Sequence, residues 1–171
     1  MNTFKVYIAH ALSEASPSFR TRMFELRNAV NAIPHARVLP FAWDPLTGPV
    51  PKEFNVHKYD IQQVTEADLM IMICEHASSG MGGEFEIRVS LRTPLLCFTP
   101  RGKRVSRFLF DGIREVRTSF CDQHDPIGAL EWPDPFAYDT DEDISTIISR
   151  WVGDHLTAYH HLSLVGQCVM A

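Results

Sequence analysis

The chain has 171 residues, is 45% hydrophobic and 22% charged, and carries 16 basic against 21 acidic residues for a net charge of −5. That size and balance fit one globular domain over 1–171, and with no long basic run they exclude a duplex-binding footprint. No stretch approaches the ~18 apolar residues that span a membrane, and the apolar run in the first residues is too short for a signal peptide. Cys74, Cys97, Cys121 and Cys168 lack metal-ligand or CxxC spacing, which favours a reducing, cytoplasmic setting over a disulfide framework. No metal and no cofactor are expected.

Phe4–Ala9 reads as a first strand. Ser16-Pro17 or Ser13-Glu14 opens a helix whose apolar face is Phe19, Met23, Leu26, Val30 and Ile33, and the helix ends before Pro34. Arg37–Phe41 is a short second strand, followed by a turn-rich loop from Trp43 to Pro49. Pro51 is expected to open the second helix, with His57, Ile61, Val64 and Asp68 on one face. Leu69–Cys74 is continuously apolar, as in a strand buried on both sides. Ala77–Gly83 is a turn of small residues, Phe85–Leu91 a helix and Pro94–Phe98 the fourth strand.

Val116–Phe120 is read as the fifth strand and Asp122–Thr140 as loop. A last helix carries Ile144, Ile147, Ile148, Trp151 and Leu156, and the tail from 161 onward fits strand, helix end or disorder. The core is placed at 4–120, with a C-terminal loop and helix at 121–160. Alternating strands and helices imply a three-layer α/β domain of flavodoxin-like, doubly wound kind, its parallel five-stranded sheet ordered 2-1-3-4-5.

Ligands of such sheets lie outside the carboxyl ends of the strands, where Glu84 follows the small-residue turn. A carboxylate at a helix start is expected to stay ionised, which suits a nucleophile. The plain alternatives are a helix cap for Glu84, a merely flexible turn before it, and a solvated loop for the basic segment Arg101–Ser106. Phe19, Phe41 and Trp43 read as packing, one of them available to stack on a base. Asp44 reads as a turn former that can also meet a base edge, and His10 as a packed or solvent-facing ring that leaves the first strand toward the site.

Asp60 precedes Asp68 at the second helix, Ser78-x-Gly80-x-Gly82-x-Glu84 follows the third strand, and Arg104-Val105-Ser106 follows the fourth. This pattern resembles the nucleoside 2-deoxyribosyltransferase family over roughly Lys5 to Gly112, and in particular the branch that hydrolyses the N-glycosidic bond of nucleoside 5′-monophosphates. The resemblance implies that Glu84 is the nucleophile at the anomeric carbon and that Asp60 contacts the sugar or handles a proton. It implies a nucleotide such as CMP or a deoxynucleotide as substrate, because Ser78 stands where the nucleoside transferases use an aspartate. Gly80 and Gly82 amides would join Ser78 in holding the phosphate, and Ser106 would reach the neighbouring subunit's phosphate in a homodimer with shared sites.

The family's Ser-x-Arg contact after the first strand is missing here, and Arg20 or Arg22, one or two helical turns on, would replace it. Glu86 stands where the family has glycine, which offers a second carboxylate near Glu84. Two other functions fit the same residues. One is 2′-deoxyribosyl transfer between bases, and the other is a non-catalytic nucleotide-binding or signalling module.

Overall fold

The computed structural model describes residues 3–11, 15–42, 51–76, 78–91, 93–107, 109, 111–112 and 135–168, with side chains to residue 154 in the last helix. Five parallel strands, β1 (Phe4–Ala9), β2 (Ala36–Val38), β3 (Leu69–Ile73), β4 (Leu95–Pro100) and β5 (Phe136–Tyr138), form one sheet in the order β2-β1-β3-β4-β5. The helices are α1 (Pro17–Asn31), α2 (Val56–Glu66), α3 (Ser79–Leu91) and α4 (Asp141–Cys168). The three-layer, flavodoxin-like order expected from the sequence is the one observed. None of the helices among the described residues is long and apolar enough to cross a membrane.

Side-chain parity along the strands sorts the core into two layers. Val6 and Ile8 of β1, Leu69, Ile71 and Ile73 of β3, and Leu96 and Phe98 of β4 face α1 and α4. The opposite set, Tyr7, Ala9, Met70, Met72, Leu95 and Cys97, packs with Val64 of α2 and with Met81 and Phe85 of α3. Register follows this pattern, with Val6 opposite Leu69, Met70 opposite Leu95 and Phe98 opposite Phe136.

Ser16 wins the competition to start α1, because its hydroxyl accepts from the Phe19 amide at 3.2 Å and Pro17 takes the first helical position. Phe19, Met23, Leu26 and Val30 are buried along that helix as their spacing requires.

Several boundaries differ from the sequence reading. Pro51 does not open α2; Pro51–Phe54 closes a turn through the Phe54 amide, and Asn55 caps the helix by accepting from Lys58. The side-chain oxygen of Asn55 satisfies an amide that proline cannot. Strand β2 stops at Val38 rather than reaching Phe41. The proposed strand at Val116–Phe120 lies outside the described residues. The fifth position in the sheet belongs to Phe136–Tyr138, from the stretch read as loop, where Phe136 stacks on Phe98 at 5.3 Å and Tyr138 is buried. The ambiguous tail continues as helix to Cys168.

Candidate active site

A cavity of about 380 Å³ opens beyond the carboxyl end of β1, within the usual range for small-molecule sites. In the order 2-1-3-4-5 this is beside the point where the chain reverses direction across the sheet, where ligands of such folds collect. Glu84, Asp60, Ser78, Gly80, His10 and Arg20 all line it, joined by Tyr7 and Phe41. Residues from β1, α1, α2 and α3, far apart in the chain, thus converge on one space. Gly82 and Ser106 do not line it. The Gly82 amide donates to the Ser78 carbonyl inside α3, and the exposed Ser106 accepts from the Leu109 amide. Asp44 and Trp43 lie outside the described residues.

The small-residue stretch is not an open turn. Helix α3 begins at Ser79, capped by Ser78 Oγ, which accepts from the Met81 amide at 3.1 Å. Glu84 therefore stands in the second turn, beyond the capping position, and faces the sheet rather than the helix end. Its Oε1 accepts from the Tyr7 hydroxyl at 2.7 Å. Its Oε2 is buried and has no partner among the described residues. Glu86, the neighbouring carboxylate, is exposed and off the cavity wall.

Electrostatics here differ from the sequence expectation that Glu84 stays ionised. Burial pushes its carboxyl up to about 7; Tyr7's hydrogen bond pulls it down, and Asp60's charge adds to the rise. Asp60 is pushed up to about 6 by burial, with His57 opposing. With Glu84 raised further than the half-buried Asp60, a proton held in the cavity near neutrality resides on Glu84 more than on Asp60. Burial and the Glu84 charge raise the Tyr7 phenol far above its usual range, so it remains a donor.

Of the two arginines offered for the missing first-turn contact, only Arg20 reaches the cavity. Arg22 instead binds both oxygens of Glu75 and pairs with Asp141 at 3.3 Å, on the α1–α4 side of the sheet. Tyr7 is the residue that sequence reasoning missed. Its signal was a lone hydroxyl in an otherwise apolar strand segment, on the parity that faces α2 and α3. Among the described residues, no group of three His, Cys, Asp or Glu side chains is placed to hold a metal ion.

The fold and this rim-side cavity define a doubly wound α/β protein with a carboxylate site at the end of its first strand. The fold is shared with the CMP N-glycosidase BcmB of Clostridium botulinum, which aligns with a TM-score of 0.55 at 14% identity over 86% of this chain and 98% of that one. Two further structures align at a TM-score of 0.49. They are a 2-deoxyribosyltransferase from Bacillus psychrosaccharolyticus (18% identity, 64% of this chain, 82% of that one) and a conserved protein of Enterococcus faecalis (10%, 86% and 98%). No family model and no curated protein sequence matches the chain.

Proposed function

We propose that the protein hydrolyses the N-glycosidic bond of a nucleoside 5′-monophosphate, releasing the free base and a (deoxy)ribose 5-phosphate. The observation that carries this reading is the state of Glu84: one carboxylate oxygen is fixed by Tyr7 and the other is buried without a partner beside a second carboxyl, in a cavity of nucleotide size. The shared fold of a CMP N-glycosidase supports it.

Glycosidic cleavage builds positive charge on the sugar, and an ionised carboxylate beneath the anomeric carbon traps it. In the proposed sequence Glu84 Oε2 attacks that carbon and the base leaves, taking a proton from Asp60. Water, deprotonated by Asp60, then attacks the same carbon and frees Glu84. With Glu84 raised to about 7 and Asp60 to about 6, the free site keeps its proton on Glu84 more than on Asp60. In this reading the proton passes from Glu84 to Asp60 as substrate binds, leaving the nucleophile ionised and the acid loaded. Developing charge on the sugar further favours the ionised form of Glu84.

The phosphate is assigned to Arg20, the Ser78 hydroxyl and the first-turn amides of α3 at Ser79 and Gly80, since a helix N-terminus presents unpaired N–H groups to an anion. An aspartate at position 78 would oppose a phosphate by on the order of 4 kcal/mol per charge pair at ~4 Å. Ser78→Asp should therefore shift preference from nucleotides toward nucleosides. The same reading makes the protein a homodimer in which the exposed Ser106 serves the adjoining site. Sedimentation as a monomer would remove that part. Chromatography of free base after incubation with a panel of nucleoside monophosphates tests the activity, and no release from any of them would end the proposal.

A further inference from the structure

His10 is the first residue beyond β1 and lines the cavity. Its Nδ1 lies 3.0 Å from the Ile8 carbonyl oxygen. A carbonyl can only accept, so Nδ1 carries the proton of that contact. Burial pushes the imidazole down to about 4, so the ring is neutral at physiological pH and Nε2 keeps a bare lone pair. Nε2 is itself buried, with no hydrogen-bond partner among the described residues.

The ring is also held in place. It packs against Phe41 at 4.6 Å between centroids, and Phe41 meets Phe24 at 6.2 Å under the Arg27 guanidinium. The ring is thus supported by Phe41, and the Ile8 contact favours the tautomer with Nε2 as acceptor.

We propose that His10 is a specificity-determining residue whose Nε2 accepts a hydrogen bond from an N–H or O–H group of the bound nucleotide. A ligand with a carbonyl at that point would set two acceptors against each other, and one with no polar group there would leave Nε2 unpaired and forgo the bond. A phosphate dianion has no proton to offer, so this acceptor serves the base or the sugar. The inference rests on the reading of the cavity as a nucleotide site. It adds that a donor, either an exocyclic amino group or a ribose hydroxyl, is part of what the site selects.

Calorimetric binding in the Glu84→Gln background separates the two sources without turnover. Cytidylate is compared with uridylate, adenylate with inosinate, and each ribonucleotide with its 2′-deoxy and 3′-deoxy forms. Loss of the relevant donor should weaken binding by about tenfold or more, and the difference should fall below about twofold when His10→Phe is added, with His10→Gln restoring it. An amino-group effect assigns the base, and a hydroxyl effect assigns the sugar.

Nitrogen NMR of the otherwise unaltered protein is independent of how the phenylalanine variant folds. It should show a neutral ring protonated at Nδ1, with the Nε2 resonance moving on addition of the preferred nucleotide. The assignment is overturned if all ratios survive in His10→Phe, if all ligands weaken equally there, or if Nε2 is protonated in the free protein. Donor-dependent binding without base release by the wild-type protein would remove the hydrolase reading and leave His10 in place. Failure of every nucleotide to bind would remove both.

Discussion

Glu84 and Arg88 lie one turn apart on α3 and both turn toward the sheet, yet their surroundings are opposite. Arg88 is fully buried and donates to three backbone carbonyls, Val64 at 3.0 Å, Ala67 at 2.8 Å and Pro94 at 3.0 Å. Those bonds satisfy the Val64 and Ala67 carbonyls at the end of α2 and give a second donor to the Pro94 carbonyl, which also accepts from the Met70 amide at 3.1 Å. Burial lowers its guanidinium to about 10, so it remains charged at neutral pH. Glu84 has a partner on one oxygen and none on the other. The Arg88 Nε is likewise buried without a partner among the described residues, but it lies in the packed core, whereas the unpartnered carboxylate oxygen belongs to a residue that lines a cavity and is available to a ligand.

Substituting each residue should separate those roles. Glu84→Gln should lower the rate of base release by ~10³-fold or more while leaving the fold intact. Glu84 titrates at about 7 in the folded chain against 4.5 unfolded, so the native state holds its proton more tightly. Its stabilising share is complete below the unfolded value and fades as pH rises through about 7. Melts of the wild type against Glu84→Gln should therefore diverge between about pH 5 and about pH 8, with the glutamine variant gaining relative stability at the higher pH. Parallel curves would show that burial does not hold the proton.

Arg88→Met should do the reverse. The Val64 and Ala67 carbonyls lose the Arg88 donor while Pro94 keeps the Met70 amide, for a loss of about 2–5 kcal/mol in denaturant unfolding, while the folded fraction retains its turnover. A loss under about 1 kcal/mol would mean that the carbonyls find water instead.

Tyr7→Phe removes the hydrogen bond that draws Glu84 toward the ionised form. The acid limb of the pH–rate profile should move upward by on the order of one pH unit, about 1 kcal/mol of lost preference for the carboxylate. A downward or absent shift would assign Tyr7 a packing role only. The smallest effect belongs to the helical glycines. A methyl group at Gly83 would meet nothing within 4 Å, so Gly83→Ala should stabilise α3 by ~0.5–1 kcal/mol without altering turnover.

Strand parity and helix spacing made most of the fold legible. The apolar run Leu69–Ile73 announced a central parallel strand, and the 3-and-4 spacing from Phe19 to Val30 announced α1. Strand β5 escaped because Phe-Ala-Tyr is three residues long in acidic, proline-rich surroundings, and only its pairing with β4 makes it a strand. Helix α3 was read as starting late because glycine propensity argues for a turn; the Ser78 cap and the packing of Met81 and Phe85 override it. Within the site, Glu84, Asp60 and Ser78, picked out by the resemblance, line the cavity, while Ser106, picked out the same way, does not. Tyr7 was not legible, because its role comes from a hydrogen bond across 77 residues that no local pattern encodes. The protonation of Glu84 was misjudged for the same reason, since burial belongs to the assembled fold.

The far edge of the sheet carries a consequence for where the molecule opens. Strand β5 is three residues long, pairs with β4 alone, and is tied back by the Tyr138 hydroxyl on Glu75, the carboxylate that also holds Arg22. So short a strand brings few ladder bonds of its own, and this edge leans on the Glu75 cluster. Local opening should accordingly begin at this edge, with the Glu75 cluster acting as the clasp that joins β5 and, through Arg22 and Asp141, the start of α4 to the rest of the sheet.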